Sequence, residues 1–216
     1  MHFSTIEFCS LLAYSPRGDS NTQGLSRTVM RTLKNDEYVK LRSNQILMSD
    51  YVADRIKYNI NKMPFADYFK TNPVLVPTPN SSLNKSGTLW VPQRIATALV
   101  RKGLGSKVVE CLSRVTPLPK SATSLAANRP KAFEHYDSMK VKKILDEPRE
   151  ILLIDVVTRG STLLGAANKL ADAFPHARIR AFAAMRTISS QSDFTKINDP
   201  CMGTITLVNE DTFREP

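Results

Sequence analysis

The sequence has few cysteines and no long apolar run, and both absences exclude classes of protein. Its three cysteines, Cys9, Cys111 and Cys201, are odd in number, widely separated and not spaced as zinc ligands. They therefore predict neither a disulfide framework nor a zinc site. No apolar segment approaches the length of a membrane span, and the first residues lack the basic and apolar regions of a secretion signal. We expect a cytoplasmic protein with no membrane partner.

Acidic residues are scarce relative to basic ones. The chain of 216 residues contains 30 Lys and Arg against 20 Asp and Glu, a formal net charge of +10. Such a field attracts polyanions of every kind without choosing among them. Arg27, Arg31 and Lys34 form one local concentration of this charge. Two interpretations stay open: solubilising charge around a pocket for a phosphorylated ligand, or a surface that binds nucleic acid.

Residues 151–167 are the most informative stretch of the chain. Residues 151–157 form an apolar, β-rich run with one acid, Asp155, and residues 158–162 read Thr-Arg-Gly-Ser-Thr. From Thr162 onward the apolar residues recur at intervals of three and four, the period of a helix with one buried face. The stretch predicts a strand, a tight loop and a helix. Asp155 would then lie at the carboxyl edge of the sheet, where open α/β folds bind ligands.

A loop of this kind is a candidate phosphate site. The backbone N–H groups at a helix start lack partners inside the helix, and the helix dipole favours negative charge beside them. Gly160 allows the backbone to approach a ligand closely, while Thr158, Ser161 and Thr162 add hydroxyl donors. We expect a phosphate at this loop, with Asp155 serving sugar hydroxyls or a hydrated metal ion.

Residues 151–163 resemble the phosphoribosyl-diphosphate (PRPP) signature of type I phosphoribosyltransferases. In that family two adjacent acids hold the ribose hydroxyls, and a Thr-Thr-Gly-Ala-Thr-like loop holds the 5′-phosphate. The resemblance implies that Asp155 is the catalytic residue. It also implies that the 5′-phosphate is bound by Thr158, Arg159, Gly160, Ser161 and Thr162. Two positions depart from the signature: Ile154 replaces the first acid, and Arg159 stands where a small residue is usual.

Residues 73–82 extend the resemblance, which is nearest the ComF-like branch of the family. A short apolar strand runs into Pro-Thr-Pro at residues 77–79, and a proline there ends a strand abruptly. In the family this is the pyrophosphate-binding loop. The implied pyrophosphate contacts are Thr78, Pro79, Asn80, Ser81 and Lys85, with Arg94 as an alternative to Lys85. An ordinary surface loop is the other interpretation.

Residues 113–143 lose apolar periodicity, and a connection this long is usually functional or disordered. The segment is similar to the mobile loop that closes over PRPP in the family, which implies a closing role for Lys120, Ser121 and Arg129. A disordered basic linker is the alternative. A lone histidine in such a segment, His135, is more often a packing or surface residue than a general base.

The whole pattern predicts an α/β fold of three layers, with a mostly parallel sheet flanked by helices. We assign residues 73–216 to a type I phosphoribosyltransferase-like core and residues 1–72 to an N-terminal hood packed on it, in one structural unit. Periodicity further predicts helices over 25–33, 50–63 and 89–101, strands over 107–112, 178–184 and 204–208, and a solvated tail over 209–216.

The resemblance implies transfer of the phosphoribosyl group from PRPP to a nitrogen acceptor, with release of pyrophosphate and with Mg²⁺ as cofactor, as in nucleotide metabolism. The missing acid at Ile154 keeps a second hypothesis open. The chain would then be a weakened or inactive effector or regulatory subunit that binds PRPP or a nucleotide and associates with nucleic acid or a protein partner. A third hypothesis is a generic phosphate site in another nucleotide enzyme.

Overall fold

The computed structural model describes residues 2–41, 44–83, 87–119, 128–142, 144 and 147–216. Three predicted site residues, Lys85, Lys120 and Ser121, lie outside the described residues. The helices are α1 (Asn21–Asn35), α2 (Met48–Asn59), a 3₁₀ turn (Ile60–Lys62), α3 (Ala66–Lys70), α4 (Val91–Arg101), α5 (Ala132–Asp137) and α6 (Ser161–Ala173). The strands are β1 (Thr5–Tyr14), β2 (Tyr38–Leu41), β3 (Asn44–Leu47), β4 (Val74–Pro77), β5 (Lys107–Val108), β6 (Leu112–Arg114), β7 (Met139–Val141), β8 (Glu150–Thr158), β9 (Arg178–Thr187), β10 (Asn198–Val208) and β11 (Asp211–Glu215).

A seven-stranded sheet forms the centre of the molecule, in the order β11-β10-β1-β9-β8-β4-β5. The strands from β1 to β5 in this order are parallel, whereas β10 and β11 pair antiparallel at the other edge. Parallel neighbours require a crossover connection, which α4 supplies between β4 and β5 and α6 supplies between β8 and β9. The prediction of a mostly parallel sheet flanked by helices is confirmed.

Helices cover both faces of the sheet and give it two apolar cores. Residues of α2, α3 and α4 pack on one face, against Leu152, Ile154 and Phe182. Residues of α6 pack on the other face, against Ile151 and Leu153. Because β8 is buried on both faces, its sequence is a nearly continuous apolar run, as expected of a central parallel strand.

Strand β1 was not predicted. It lies between β9 and β10 in the central sheet, so residues 5–14 extend the sheet, although the sequence analysis assigned them to a hood packed on the core. The remainder of residues 1–72 supplies α1, α2, α3 and the β2–β3 hairpin. Helix α1 begins where Ser20 and Gln23 form a capping box, which satisfies two backbone donors at the helix start.

Three other predictions are corrected by the structure. The strand expected over 107–112 is shorter, because only Lys107–Val108 pairs with β4. The segment 113–143 contains α5 and, with Leu112, the antiparallel strands β6 and β7, which pair with each other. The tail is largely exposed, as expected, but residues 211–215 form a strand that was not predicted, β11, which pairs with β10. Among the described helices, none has both the length and the apolar character needed to cross a membrane.

Candidate functional site

The carboxyl ends of β4 and β8 border two adjoining cavities. A cavity of about 420 Å³, the main cleft, is lined by residues 78–81 after β4 and by Asp155 and Thr162. A smaller cavity of about 110 Å³ surrounds residues 158–162, the phosphate loop. Lys34, Val157 and Thr162 line both cavities. The two loops singled out in the sequence are therefore neighbours in the folded chain.

Asp155 is held in place by its neighbours. Its Oδ1 accepts a hydrogen bond from the backbone N–H of Val156 at 2.8 Å and another from the Thr78 hydroxyl at 3.2 Å. Thr78 is itself fixed, since its N–H donates to the Ile154 carbonyl at 2.9 Å and its carbonyl accepts from the Trp90 indole N–H at 2.7 Å. The buried Thr78 hydroxyl thus orients the carboxylate of Asp155.

The pKa of Asp155 is raised to about 6 from an ordinary value of 3.8, chiefly because burial disfavours its charge. The hydrogen bonds from Val156 and Thr78 oppose this shift, as do the positive charges of Lys34 and Arg114. The carboxyl group is therefore mostly ionised at neutral pH and accepts hydrogen bonds from a ligand. It becomes a neutral acid in mildly acidic solution.

Ile154 is a core residue. Its side chain is fully buried among the residues that pack against α4, on the face of β8 opposite to Asp155, because successive side chains of a strand alternate. A carboxylate at this position would lose its hydration in an apolar core. An apolar residue at this position, where the signature has an acid, therefore suits the core around it.

The phosphate loop ends at the start of α6. Gly160 precedes the helix with φ of +125°, and a Cβ added there would lie 2.8 Å from Cγ2 of Ile205. This position therefore requires glycine. No side chain caps the first turn of α6, so its N–H groups remain available to an anion.

The three hydroxyl groups of the loop have different surroundings. Thr158 is buried, and its Oγ1 accepts from the Gly160 N–H at 2.9 Å. Ser161 Oγ lies 2.8 Å from Thr212 Oγ1 on β11. Thr162 Oγ1 lies 3.4 Å from His135 Nε2, a long contact, and Thr162 lines both cavities. Thr162 is therefore the loop hydroxyl best placed to meet a ligand.

Positive charge surrounds the loop. Arg129 and Arg159 both line its cavity, together with Lys34. Within the described ranges, neither arginine has a carboxylate partner within 4 Å, and the buried Nε of Arg129 has no hydrogen-bond partner. Burial, and then the charge of Arg129, lowers the pKa of Arg159. The cavity therefore favours an anion.

Arg114 and His135 also line the main cleft. The sequence did not single out Arg114, and it favoured a packing or surface role for His135. Arg114 Nε donates to the Asn80 carbonyl at 2.7 Å, a second nitrogen donates to the Ser138 hydroxyl, and the third lies 3.4 Å from His135 Nδ1. Burial lowers the pKa of Arg114 to about 10, and burial with the charge of Arg114 lowers that of His135 to about 3. His135 is therefore a neutral, buried imidazole at physiological pH.

The other predicted contacts are distributed as follows. Pro79, Asn80 and Ser81 line the main cleft. Arg94 does not, because it pairs with Asp36 at 3.1 Å and lines a separate cleft between the start of α2 and α4.

The main cleft has one carboxylate in its described wall, Asp155. Among the described residues, no three His, Cys, Asp or Glu side chains cluster as a metal site would require. A single carboxylate nevertheless fits Mg²⁺, which proteins commonly hold through one or two carboxylates together with substrate phosphates and water. Asp155 would hold such an ion together with the ligand.

The site combines a partly buried carboxylate, an uncapped helix start and two arginines that have no carboxylate partner among the described residues, at one edge of a parallel sheet. This arrangement suits an anionic ligand that also carries hydroxyl groups. Comparison of the sequence with models of known protein families finds no match, and comparison with curated proteins finds no significant one. The functional argument therefore rests on the site itself.

Proposed function

We propose that this chain is a phosphoribosyltransferase-like protein that binds PRPP and transfers its phosphoribosyl group to a nitrogen acceptor, releasing pyrophosphate. One observation carries the proposal: Asp155, the start of α6 and the loop after β4 line two adjoining cavities that share Lys34, Val157 and Thr162. Ribose, 5′-phosphate and pyrophosphate need three such groups within reach of one another. The three-layer α/β fold with a mostly parallel sheet agrees with the core that the resemblance implies.

In this proposal different groups of the chain bind different parts of PRPP. The N–H groups of the first turn of α6, the Thr162 hydroxyl and the Arg159 and Arg129 guanidiniums bind the 5′-phosphate. Asp155 accepts hydrogen bonds from the ribose hydroxyls. The backbone of residues 79–81 and the Arg114 guanidinium stabilise the pyrophosphate.

The reaction breaks the bond between C1 of the ribose and the pyrophosphate oxygen, and forms a bond between C1 and the acceptor nitrogen, which loses its proton. Positive charge develops at C1 in the transition state, while negative charge grows on the departing pyrophosphate. Arg114 is positioned to stabilise that negative charge, and the fixed loops hold the two reactants in line. Bound Mg²⁺ would supply further charge neutralisation on the pyrophosphate.

A second function is favoured by one specific observation, the burial of Ile154 in the core. Without the first acid, the ribose loses a hydrogen bond to a charged group, which contributes about 1.5–3 kcal/mol. That loss corresponds to about a tenfold to hundredfold effect on affinity or rate. The chain would then bind PRPP or a nucleotide as an effector or regulatory subunit, with nucleic acid or a protein as its partner.

The test is calorimetric titration of the chain with PRPP in the presence of Mg²⁺. We expect Asp155→Asn to weaken PRPP binding at least tenfold, because the amide cannot replace a carboxylate at two ribose hydroxyls. Asp67→Asn is the matched control, since Asp67 is an exposed carboxylate on α3 paired only with Lys70, and it should bind PRPP as the unaltered chain does. Absence of PRPP binding by the unaltered chain would refute the assignment.

Release of pyrophosphate separates the two functions. Turnover with a nucleobase or amine acceptor, lost in Asp155→Asn, would establish a transferase. PRPP binding without turnover, together with salt-sensitive binding of DNA or RNA, would favour the regulatory function.

A further inference from the structure

A third cavity, of about 530 Å³, lies beside the phosphate loop, between the end of β9 and β11. We call it the arginine cleft. The residues of its wall that matter for ligand binding are Arg159, Arg186, Arg214, Thr187, Ser190 and Phe213. Of the predicted pyrophosphate contacts that the structure describes, none lines it.

Two arginines give this cleft a positively charged floor: Arg186 is buried and Arg214 is half-buried. Arg186 is 4% exposed, pairs with Asp199 and has an Nε without a hydrogen-bond partner. Arg214 donates to two backbone carbonyls, and burial together with the charge of Arg186 lowers its pKa to about 10. With Arg159, three guanidiniums line the cleft, whereas the one carboxylate side chain in its described wall is the exposed Asp193, and Asp199 lies outside the wall and pairs with Arg186. Buried positive charge in excess is costly unless an anion joins it.

Arg159 connects this cleft to the phosphate loop. It lines both cavities, as does Thr187, and within the described part of the chain it has no carboxylate partner. A small residue at this position, as the signature implies, would leave the wall between the two cavities without a cation. The arginine can instead contact an anion on either side.

The remaining wall suits a nucleotide. Guanidinium groups and hydroxyls such as that of Ser190 are the usual protein partners of phosphate. Phe213 is 57% exposed at the edge of the cleft, and an exposed aromatic ring is a surface on which bases stack. We propose that the arginine cleft binds a phosphate-bearing nucleotide as a second ligand, next to the group held in the phosphate loop. This proposal does not depend on the transfer reaction.

The experiment is a titration of the full chain with ADP, using two variants of the exposed Ser190. Ser190→Glu places a negative charge in the cleft, whereas Ser190→Gln has nearly the same size without the charge. We expect the Glu variant to weaken ADP binding at least tenfold and the Gln variant to change it less than twofold. Both should bind PRPP as the unaltered chain does, and Asp155→Asn should bind ADP normally.

Three results would overturn the proposal: no ADP binding by the unaltered chain, equal effects of the two Ser190 variants, or loss of ADP binding in Asp155→Asn. The last would indicate that ADP occupies the main cleft. Failure of the proposed transferase function would give a different result: PRPP would not bind, whereas ADP still would.

Discussion

Asp155 combines a functional position with an energetic cost. Its carboxylate faces the main cleft, but burial raises its pKa to about 6. A group whose pKa is higher in the folded state than in the unfolded state binds protons preferentially when folded. Its contribution to stability is therefore greatest below pH 3.8 and is lost as the pH rises through about 6. At neutral pH the charge of Asp155 therefore lowers the free energy of unfolding.

We predict that Asp155→Asn increases the free energy of unfolding at pH 7 by about 1–3 kcal/mol, because each tenfold change in protonation corresponds to about 1.4 kcal/mol. The amide oxygen of Asn keeps the acceptor for Thr78 and Val156, so no hydrogen bond need be lost. The measurement is urea unfolding of both proteins between pH 4 and pH 7. The stability difference should shrink toward pH 4, and a difference independent of pH would contradict the explanation.

Individual residues differed in how far the sequence revealed them. Asp155 and Gly160 stood out because their types and spacing match a physical requirement: an acceptor at a strand end and a backbone with positive φ. Arg114 and His135 lie in a segment without periodicity, and their meeting depends on how β6, α5 and α6 pack. Such a contact is set by tertiary structure, and no local pattern encodes it.

At the scale of elements, the approach of α5 to α6 forms one wall of the site. Gly165 on α6 makes this approach possible, since an added Cβ would lie 2.5 Å from the carbonyl oxygen of Ala132 and 2.7 Å from the His135 Cβ. Backbone atoms cannot move aside as the end of a flexible side chain can. The position of His135, and with it the contact to Thr162, depends on this glycine.

We predict that Gly165→Ala destabilises the chain by about 2 kcal/mol or more, since overpacking costs typically 1–3 kcal/mol and the displaced backbone adds to it. Alanine is the better helix former by about 1 kcal/mol, so the clash must exceed that gain. Gly24→Ala is the control: Gly24 lies inside α1, and the nearest atom to an added Cβ is 3.9 Å away. Urea unfolding should show a gain of about 0.5–1 kcal/mol for Gly24→Ala. A neutral or stabilising Gly165→Ala would refute the packing argument.

Elements with a strong period were predictable, and those defined by pairing were less so. The predicted helix over 89–101 corresponds to α4, which buries a regular apolar face, and the strand over 151–157 corresponds to β8, whose continuous apolar run is buried on both faces. Strand β11 has the alternating exposure of an edge strand and few apolar residues, so its sequence looked solvated. Strand β1 does carry an apolar run, but the sequence on either side of it does not indicate which strands it pairs with.

For the whole molecule, net charge is the dominant feature beyond the fold. A charge of +10 repels itself in the compact state, and the arginines around the phosphate loop and the arginine cleft concentrate part of it. Salt screens such repulsion over a Debye length of about 10 Å at 0.1 M. Anions that enter the cavities would relieve it more specifically.

We predict that the midpoint of thermal unfolding rises when NaCl is increased from about 20 to about 300 mM, and that millimolar pyrophosphate raises it further at constant ionic strength. The first effect reflects screening and the second reflects occupation of the cationic cavities. Differential scanning fluorimetry measures both, with sodium chloride matched in ionic strength as the control for pyrophosphate. If neither NaCl nor pyrophosphate raised the midpoint, repulsion between positive charges would not limit the stability of this chain.

The place of β1 in the sheet also has a consequence for synthesis on the ribosome. Its partners are β9 and β10, with Phe8 opposite Ala181 and Gly203, so the strand made first pairs with strands made late. At the usual rates of translation it waits on the order of ten seconds or more without a partner. During that time an apolar strand has both edges open, which is the condition for association between nascent chains. Yield in cells would then be limited by how well this segment is shielded while the rest of the chain is being made.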